Sequence, residues 1–422
     1  MTFLATRRAG LALTAAALAV IAVATLVPQP SEVPLVAQTP IWCIVCGQVG
    51  TIDILLNVAL FLPLGAGLVM LGLPWRRAVL IGAALSLAIE TTQYFAIAGR
   101  DASLGDLLTN TAGAALGAFL ATTWRSVLFP SPSQAAALSA AAAIAWLAQV
   151  AVSGAAVLPS LPQSVYWGQR APDLPQFEQF RGELLDASVG DAPFPYLRMR
   201  NSAEIRGRLL RGEVLSAVVA PAGPTRALAP IVSIFDGSQR EIALLGQWRA
   251  DLVFRLRSRA FDFRLRPPAV RLPAVFHGLG NDTLRVGGAL EGRRLVVQAS
   301  GQHARVTRQL DLSAQWGWSL LLPFPYAFGT EVGWLTGLWV GCWLLPMGYW
   351  LSRTGIGLGG AATVGAATLA AGIAGVPALF GLRGSVWDWV AGGAGLAAGG
   401  WLARRARLYA TAPPSARSAS SP

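Results

Sequence analysis

Eight runs of roughly 17 to 25 mostly apolar residues recur along this sequence, near 9–28, 53–73, 78–98, 104–123, 135–158, 329–351, 356–380 and 386–403. Each run is long enough to cross a bilayer as a helix. Lipid offers no partner for backbone polar groups, so such a chain must satisfy them inside helices. The expected fold class is therefore a polytopic α-helical membrane protein with about eight transmembrane helices. Between the fifth and sixth runs lies a polar stretch, 159–313, that holds 21 of the 33 basic residues and 14 of the 21 acids. It reads as an inserted all-β sandwich domain. The plan that follows is an N-terminal membrane domain of five helices over 1–158, the external domain over 159–313, a C-terminal membrane domain of three helices over 314–410, and a disordered Pro/Ser/Ala-rich tail over 411–422.

All 33 basic residues are Arg, and against 21 acids they give a net charge of +12. That balance would suit nucleic acid, but outside the polar stretch most Arg flank apolar runs, so no nucleic-acid partner is expected. If the helices alternate, Arg7, Arg8, Arg76, Arg77, Arg125, Arg353, Arg404, Arg405 and Arg407 share one side, which marks the cytoplasm and places the C-terminus there. The polar domain falls on the opposite, external side. Of 15 Trp only Trp167 and Trp248 lie in the polar stretch. Trp42, Trp75, Trp124, Trp350 and Trp401 sit at run ends, as an interfacial belt requires. The first run is either a retained anchor or a cleaved export signal, and its length favours the anchor. Residues 314–328 read as an interfacial elbow leading back into the membrane.

The second, third and fourth runs each carry polar residues on one helical face: Asp53 and Asn57; Ser86, Glu90 and Gln93; then Ser103, Asp106, Asn110, Gly113 and Gly117. In the orientation above, all of them lie in the outer half of the bilayer, which suggests one site. A charged side chain in hydrocarbon is costly, so Glu90 should face the bundle interior. With Arg100 as the nearby cation, the cluster is acid-rich. At least one acid is then expected to be protonated or bonded directly to Asn57, Gln93 or Asn110. The Gly113 and Gly117 pair would let helices approach closely. The plain alternative is that these groups only glue helices together, and Ser86 and Ser103 taken singly read as packing residues.

Asp53-x3-Asn57-x3-Phe61-x-Pro63-Leu64-Gly65, then Ser86-x3-Glu90-x2-Gln93, then Arg100-x2-Ser103-x2-Asp106-x3-Asn110-x2-Gly113-x3-Gly117 resembles the VanZ-like family. The resemblance implies an integral protein of the bacterial inner membrane, connected with glycopeptide tolerance or with envelope glycan or lipid handling. It implies no known reaction. Its partners would be membrane lipids and an envelope glycan or lipid-linked ligand held in the outward-facing polar pocket. Two other readings stand beside it: an intramembrane enzyme acting on a lipid-linked precursor with Glu90 and Asp106 as acid and base, and an anchor for a glycan-binding domain. The oligomeric state is open. In the last runs, Ser385-x2-Asp388-x6-Gly395-x3-Gly399 after Arg383 echoes Ser103-x2-Asp106-x6-Gly113-x3-Gly117 after Arg100, either as a decayed duplicate or as a coincidence of Gly-rich helices.

In the polar stretch, period-two alternation marks strands at Ile205–Leu209, at Leu252–Leu256 and at Leu295–Ala299, with turns at Asp236-Gly237-Ser238, Gly287-Gly288 and Glu291-Gly292. The succession of strands resembles concanavalin A-like and laminin-G-like sandwiches, which implies carbohydrate binding. A purely architectural domain is the alternative. Asp236, Asn281 and Asp282 are weak calcium candidates, and His277 and His303 read as ordinary residues. Two His and three Cys are too few for a protein metal cage, so no metal or cofactor is expected. Cys43 and Cys46 lie in a predicted external loop, where a disulfide is the leading reading and metal binding or thiol exchange the others.

Overall fold

A computed structural model of the chain describes residues 3–27, 40–47, 49–97, 102–174, 177–277, 283–301 and 305–411. All eight apolar runs are helical: α1 (Phe3–Leu26), α2 (Gly50–Met70), α3 (Trp75–Ala96), α4 (Leu104–Leu128), α5 (Pro132–Ala156), α8 (Val332–Leu351), α9 (Gly357–Ala378, with a π-helical turn at Ala371–Gly375) and α10 (Val386–Thr411). Two short helices, α6 (Ser202–Leu210) and α7 (Gly317–Leu320), lie between α5 and α8. Five helices, α1, α2, α3, α5 and α9, are both long and apolar enough to cross a membrane. The remaining α4, α8 and α10 are 25, 20 and 26 residues long. The chain is thus a membrane protein, and its β region is separate from the helices.

The chain divides into two compact units, 1–134 and 135–422. In the first, α2 packs along α4, with α1 on α2 and α3 on α4. Phe61, Leu64 and Leu68 of α2 meet Ala114 and Ala118 of α4, Ala78 and Ile89 of α3, and Ala17 and Ile21 of α1 in one core. Membrane helices gain little from hydrophobicity against one another, so close packing at small residues must hold them. A Cβ on Gly113 or Gly117 would run into the Val58 or Leu62 carbonyl, and one on Gly65 into Ala114. At these three positions only glycine permits the approach.

The second unit contains α5, the β region and α7 to α10. Its strands are β1 (Tyr166–Arg170), β2 (Glu183–Val189), β3 (Ala192–Pro193), β4 (Leu197–Arg198), β5 (Leu215–Ala220), β6 (Leu228–Asp236), β7 (Glu241–Trp248), β8 (Asp251–Leu256), β9 (Ala269–Leu272), β10 (Leu284–Glu291), β11 (Arg294–Ser300) and β12 (Arg305–Asp311). They form two six-stranded antiparallel sheets in the orders β4-β1-β6-β7-β8-β9 and β12-β11-β10-β5-β2-β3. The sheets meet where β8 and β9 face β10, β11 and β12. Strands β8 and β11 and the Glu291-Gly292 turn stand where the alternation put them. Two expectations fail. Ile205 to Leu209 is not a strand but the helix α6, because Ile205 and Leu209 are spaced by four and both bury on one helical face. Gly287 and Gly288 are not a turn but mid-strand in β10, where the absence of a Cβ at Gly288 admits the Phe254 ring of the facing sheet.

Residues 314–328 are built into the β region. Phe328 N–H donates to the Ala269 carbonyl (2.7 Å), and the Phe328 carbonyl accepts from Arg271 N–H (3.1 Å), along the β9 edge. Trp316, Trp318, Tyr326 and Phe328 stack edge-on into one cluster. Arg257, buried, pairs with Asp236 and Asp262 at 3.0 Å each and lies 4.5 Å from the Phe261 ring. Asp236 also accepts from Ser238 and Arg240 N–H, so the carboxylate suggested for calcium is spent on a turn and an ion pair. Asn281, Asp282, His303 and the tail beyond Thr411 lie outside the described residues.

The C-terminal helices repeat the packing of the N-terminal ones. Gly395 faces the Gly341 carbonyl as Gly113 faces that of Val58, and Gly399 faces Leu345 and Tyr349 as Gly117 faces Leu62 and Ala66. Pro63-x-Gly65 in α2 has its counterpart in Pro346-x-Gly348 in α8, with Gly65 against Ala114 and Gly348 against Leu396. Gly82 in α3 faces Ala114, and Gly365 in α9 faces Leu396. Each pair is related by the same step along the chain, to within one residue. The spacing echo is therefore a repeat of packing: α8 and α10 cross as α2 and α4 do, while α9 touches α10 much less than α3 touches α4.

Candidate functional site

The start of α4 organises the polar layer. A helix leaves its first four N–H groups without intrahelical partners, and here each has one. Ser103 N–H donates to Glu90 Oε2 (2.9 Å), Leu104 N–H to the Ile41 carbonyl (2.7 Å), Gly105 N–H to the Cys43 carbonyl (3.0 Å), and Asp106 N–H to Ser103 Oγ (3.0 Å). Ser103 is the N-cap, extended at φ −140°. Glu90 thus places a carboxylate on the positive end of the α4 dipole, which explains why an acid is tolerated at 8% exposure. The stretch from Ile41 to Cys46, which contains the Cys43–Cys46 disulfide, supplies two of the four capping oxygens.

One helical turn deeper, Asn57 of α2 donates through Nδ2 to Asp106 Oδ1 (2.6 Å) and lies 3.4 Å from Thr109 Oγ1. Asn110, 2% exposed, donates to Ser86 Oγ of α3 (3.0 Å), while its own Oδ1 accepts nothing from the described residues. The two bonds tie α4 to α2 and to α3. Gln93 turns away from this group and donates to the Thr25 carbonyl of α1 (2.9 Å). Asp53, at the first turn of α2, is exposed and lines a cleft of about 210 Å³ with Asp106, Ser103, Gly50, Ile44 and Cys46. Glu90 is not part of that lining. Pro63 sits inside α2, two residues before Gly65.

The structure therefore separates the expected residues. Asp53 and Asp106 front the cleft; Asn57 holds Asp106; Glu90 and Ser103 build the helix cap; Asn110 with Ser86, and Gln93 with Thr25, cross-link helices. Arg100 lies outside the described residues. Ser86 and Ser103, read from sequence as mere packing, are hydrogen-bond partners of named site residues. The signal for Ser103 was present: Ser-x-x-Asp ahead of an apolar helix has the spacing of a capping box. Thr25 and Thr109 left no such signal.

Helices joined through buried polar contacts and close glycine crossings define the first unit as a polytopic membrane domain. Residues 6–125 match the family model described as VanZ/LLP1, so this unit carries a VanZ/LLP1 domain that includes α1 as well as α2 to α4. No curated protein and no solved structure matches the chain.

Proposed function

We propose that this VanZ-like membrane protein works in the bacterial envelope, where the cleft at Asp53 and Asp106 takes the polar group of an amphiphilic envelope molecule. A cleft of about 210 Å³ suits a cation or an ammonium-bearing headgroup, not a whole glycopeptide. Its two carboxylates favour positive charge. The observation that carries this reading is the repeat itself. The second copy packs α8 on α10 through the same glycines and keeps only Ser385 and Asp388 of the polar layer, having Thr336 in place of Asp53 and Gly392 against Leu369 where the first has Asn110 bonded to Ser86. Since that packing does without counterparts of Asp53, Asn57, Ser86, Glu90 and Asn110, a selected use for these groups in the first copy is the better account. Tolerance to glycopeptides would then be one outcome of handling an envelope lipid or glycan. The Arg distribution supports an orientation with the β region outside and the C-terminus in the cytoplasm.

The test is a strain carrying Asp53→Asn or Asp106→Asn, scored for envelope stress and teicoplanin tolerance. Both substitutions should abolish the phenotype while the protein still accumulates in the membrane; wild-type tolerance in both variants would overturn the reading.

A second reading, carbohydrate binding by the β region, is favoured by one feature. A cleft of about 1120 Å³ carries Arg198, Arg200 and Arg206 with the exposed ring of Tyr196, and no acid lines it among the described residues. An anionic glycan fits that chemistry. Binding of wall polymers by the full chain should then fall with Arg198→Gln, and undiminished binding would sink it.

A further inference from the structure

The two helical copies each have a cleft at the same place, and the second has changed its chemistry. In the first copy Gly50, Asp53, Ser103 and Asp106 line it; in the second, Gly333, Thr336, Ser385 and Asp388 stand at the matching steps. Thr336 replaces the carboxylate of Asp53 and is itself occupied, accepting from Trp318 Nε1 at 3.1 Å. The second cleft is larger, about 670 Å³, because the β10–β11 turn and the end of β12 form its far wall and bring arginines with them.

The charge left over in this cleft is positive. Arg294 is neutralised by Asp311 at 2.7 Å. The Asp388 carboxylate is turned onto Ser385 N–H at 2.7 Å and is buried. Arg293, which lies over the Gly381 turn, and Arg383, two residues further on, are exposed and make no ion pair among the described residues. The backbone adds to this. In the first copy the Leu104 and Gly105 N–H groups are filled by the Ile41 and Cys43 carbonyls, whereas their counterparts at Val386 and Trp387 have no partner among the described residues. Two guanidiniums with the open Trp387 N–H favour an anion with several acceptor oxygens. Val386 and Trp387, 76% and 71% exposed, give the rim an apolar edge of the kind found at a membrane interface.

We propose that this cleft binds a phosphate-bearing anionic group through Arg293 and Arg383, supplied by a lipid headgroup whose chains lie along Val386 and Trp387. The site is distinct from the acid-lined cleft of the first copy and does not depend on what that cleft holds.

The experiment uses the full-length protein, purified in detergent, stripped of lipid and titrated with phosphatidylglycerol, phosphatidylcholine or inorganic phosphate under native mass spectrometry. Wild type should retain phosphatidylglycerol in preference to phosphatidylcholine. Arg293→Gln/Arg383→Gln should weaken that retention roughly tenfold or more, the fold-change expected from losing a charge-assisted hydrogen bond. Arg383→Lys, which keeps the charge, should lose less. Inorganic phosphate bound with the same Arg dependence would support the site and assign it to a soluble phosphate compound. Equal retention of both lipids, or no effect of the double substitution on any anion, would overturn the proposal. Both Arg are exposed, so the thermal transition of the variants should match wild type and separate lost binding from lost folding.

Discussion

Replacing Glu90 separates its role as a helix cap from any role as an acid. Its Oε2 accepts the Ser103 N–H at 2.9 Å, in a place water reaches poorly. In Glu90→Gln the amide oxygen can still accept that bond. The charge–dipole attraction lost, about 0.3–1 kcal/mol, is offset by the smaller cost of burying a neutral group. Glu90→Leu instead leaves a buried N–H without a partner, at about 1–3 kcal/mol. The difference between the two variants is therefore about 1–3 kcal/mol, which corresponds to roughly 5- to 150-fold faster opening of the first turn of α4. Hydrogen exchange at Ser103 to Leu107 in the full chain reads this directly. The Gln variant should exchange within a few-fold of wild type and the Leu variant far faster. If both exchange alike, Glu90 is not what holds the cap, and the structural account of this acid fails.

Adding a methyl at Gly117 or Gly399 should push α4 from α2, or α10 from α8, and destabilise by about 1–3 kcal/mol; Gly393→Ala, with nothing within 4 Å of the new Cβ, should be neutral, all read as thermal midpoints in one detergent. Arg257→Ala removes the partner of Asp236, whose side chain is only 10% exposed, and should cost about 3–5 kcal/mol of β-region stability; loss of less than about 1 kcal/mol would mean that water or Arg240 takes over. The pairings of Arg211 and Arg208 with Glu213, and of Arg208 with Asp191, hold both carboxyls below their ordinary values of 4.5 and 3.8. Depressed values in the folded state mean that this contribution is present above those values and is lost as pH falls below them. Exchange at α6, corrected for intrinsic pH dependence, should therefore rise on acidification below about pH 4 in wild type and less so in Arg208→Gln.

The helices were legible because length and apolarity alone demand them; most ends set by the sequence lie within about five residues of those in the structure, but α1 begins at Phe3 and α10 runs on to Thr411, because their Arg-bearing ends continue the helix beyond the apolar run. The β sandwich was legible where one face of a strand is wet, as in β8 with Leu252 and Phe254 against Arg255. It failed at Ile205 to Leu209, where alternate apolar residues fit a helix with one buried stripe equally well, and only tertiary packing decides. The polar layer was visible as three stripes, but stripes carry no information on pairing. That Glu90 goes to a backbone N–H, and Gln93 to the α1 carbonyl of Thr25, depends on how α1 lies against α2 and α3 and how the Cys43 loop covers the start of α4. Neither segment announces its position in sequence. The repeat was hard to see because the matching elements are fixed by glycines, and glycines at helical spacing recur throughout this chain.

That repeat allows the decisive experiment on whether the polar layer is structural. If Asn110 and Ser86 only hold α4 to α3, then their removal should destabilise the domain unless the gap is refilled. The second copy shows how it is refilled: Gly392 lies against Leu369, and Leu344 and Val340 close the space around it. Grafting that solution as Ser86→Leu/Asn110→Gly removes the hydrogen bond and the unpartnered Asn110 Oδ1 together, so no buried polar group is orphaned. With the volume approximately conserved, the cost should stay below about 1.5 kcal/mol, whereas Asn110→Gly alone opens a cavity and should cost about 2–5 kcal/mol. A graft that folds like wild type but loses envelope tolerance places the need for the polar layer in function. A graft that loses stability as badly as the single substitution shows that the first copy depends on its polar contacts for assembly, and the argument from the repeat collapses.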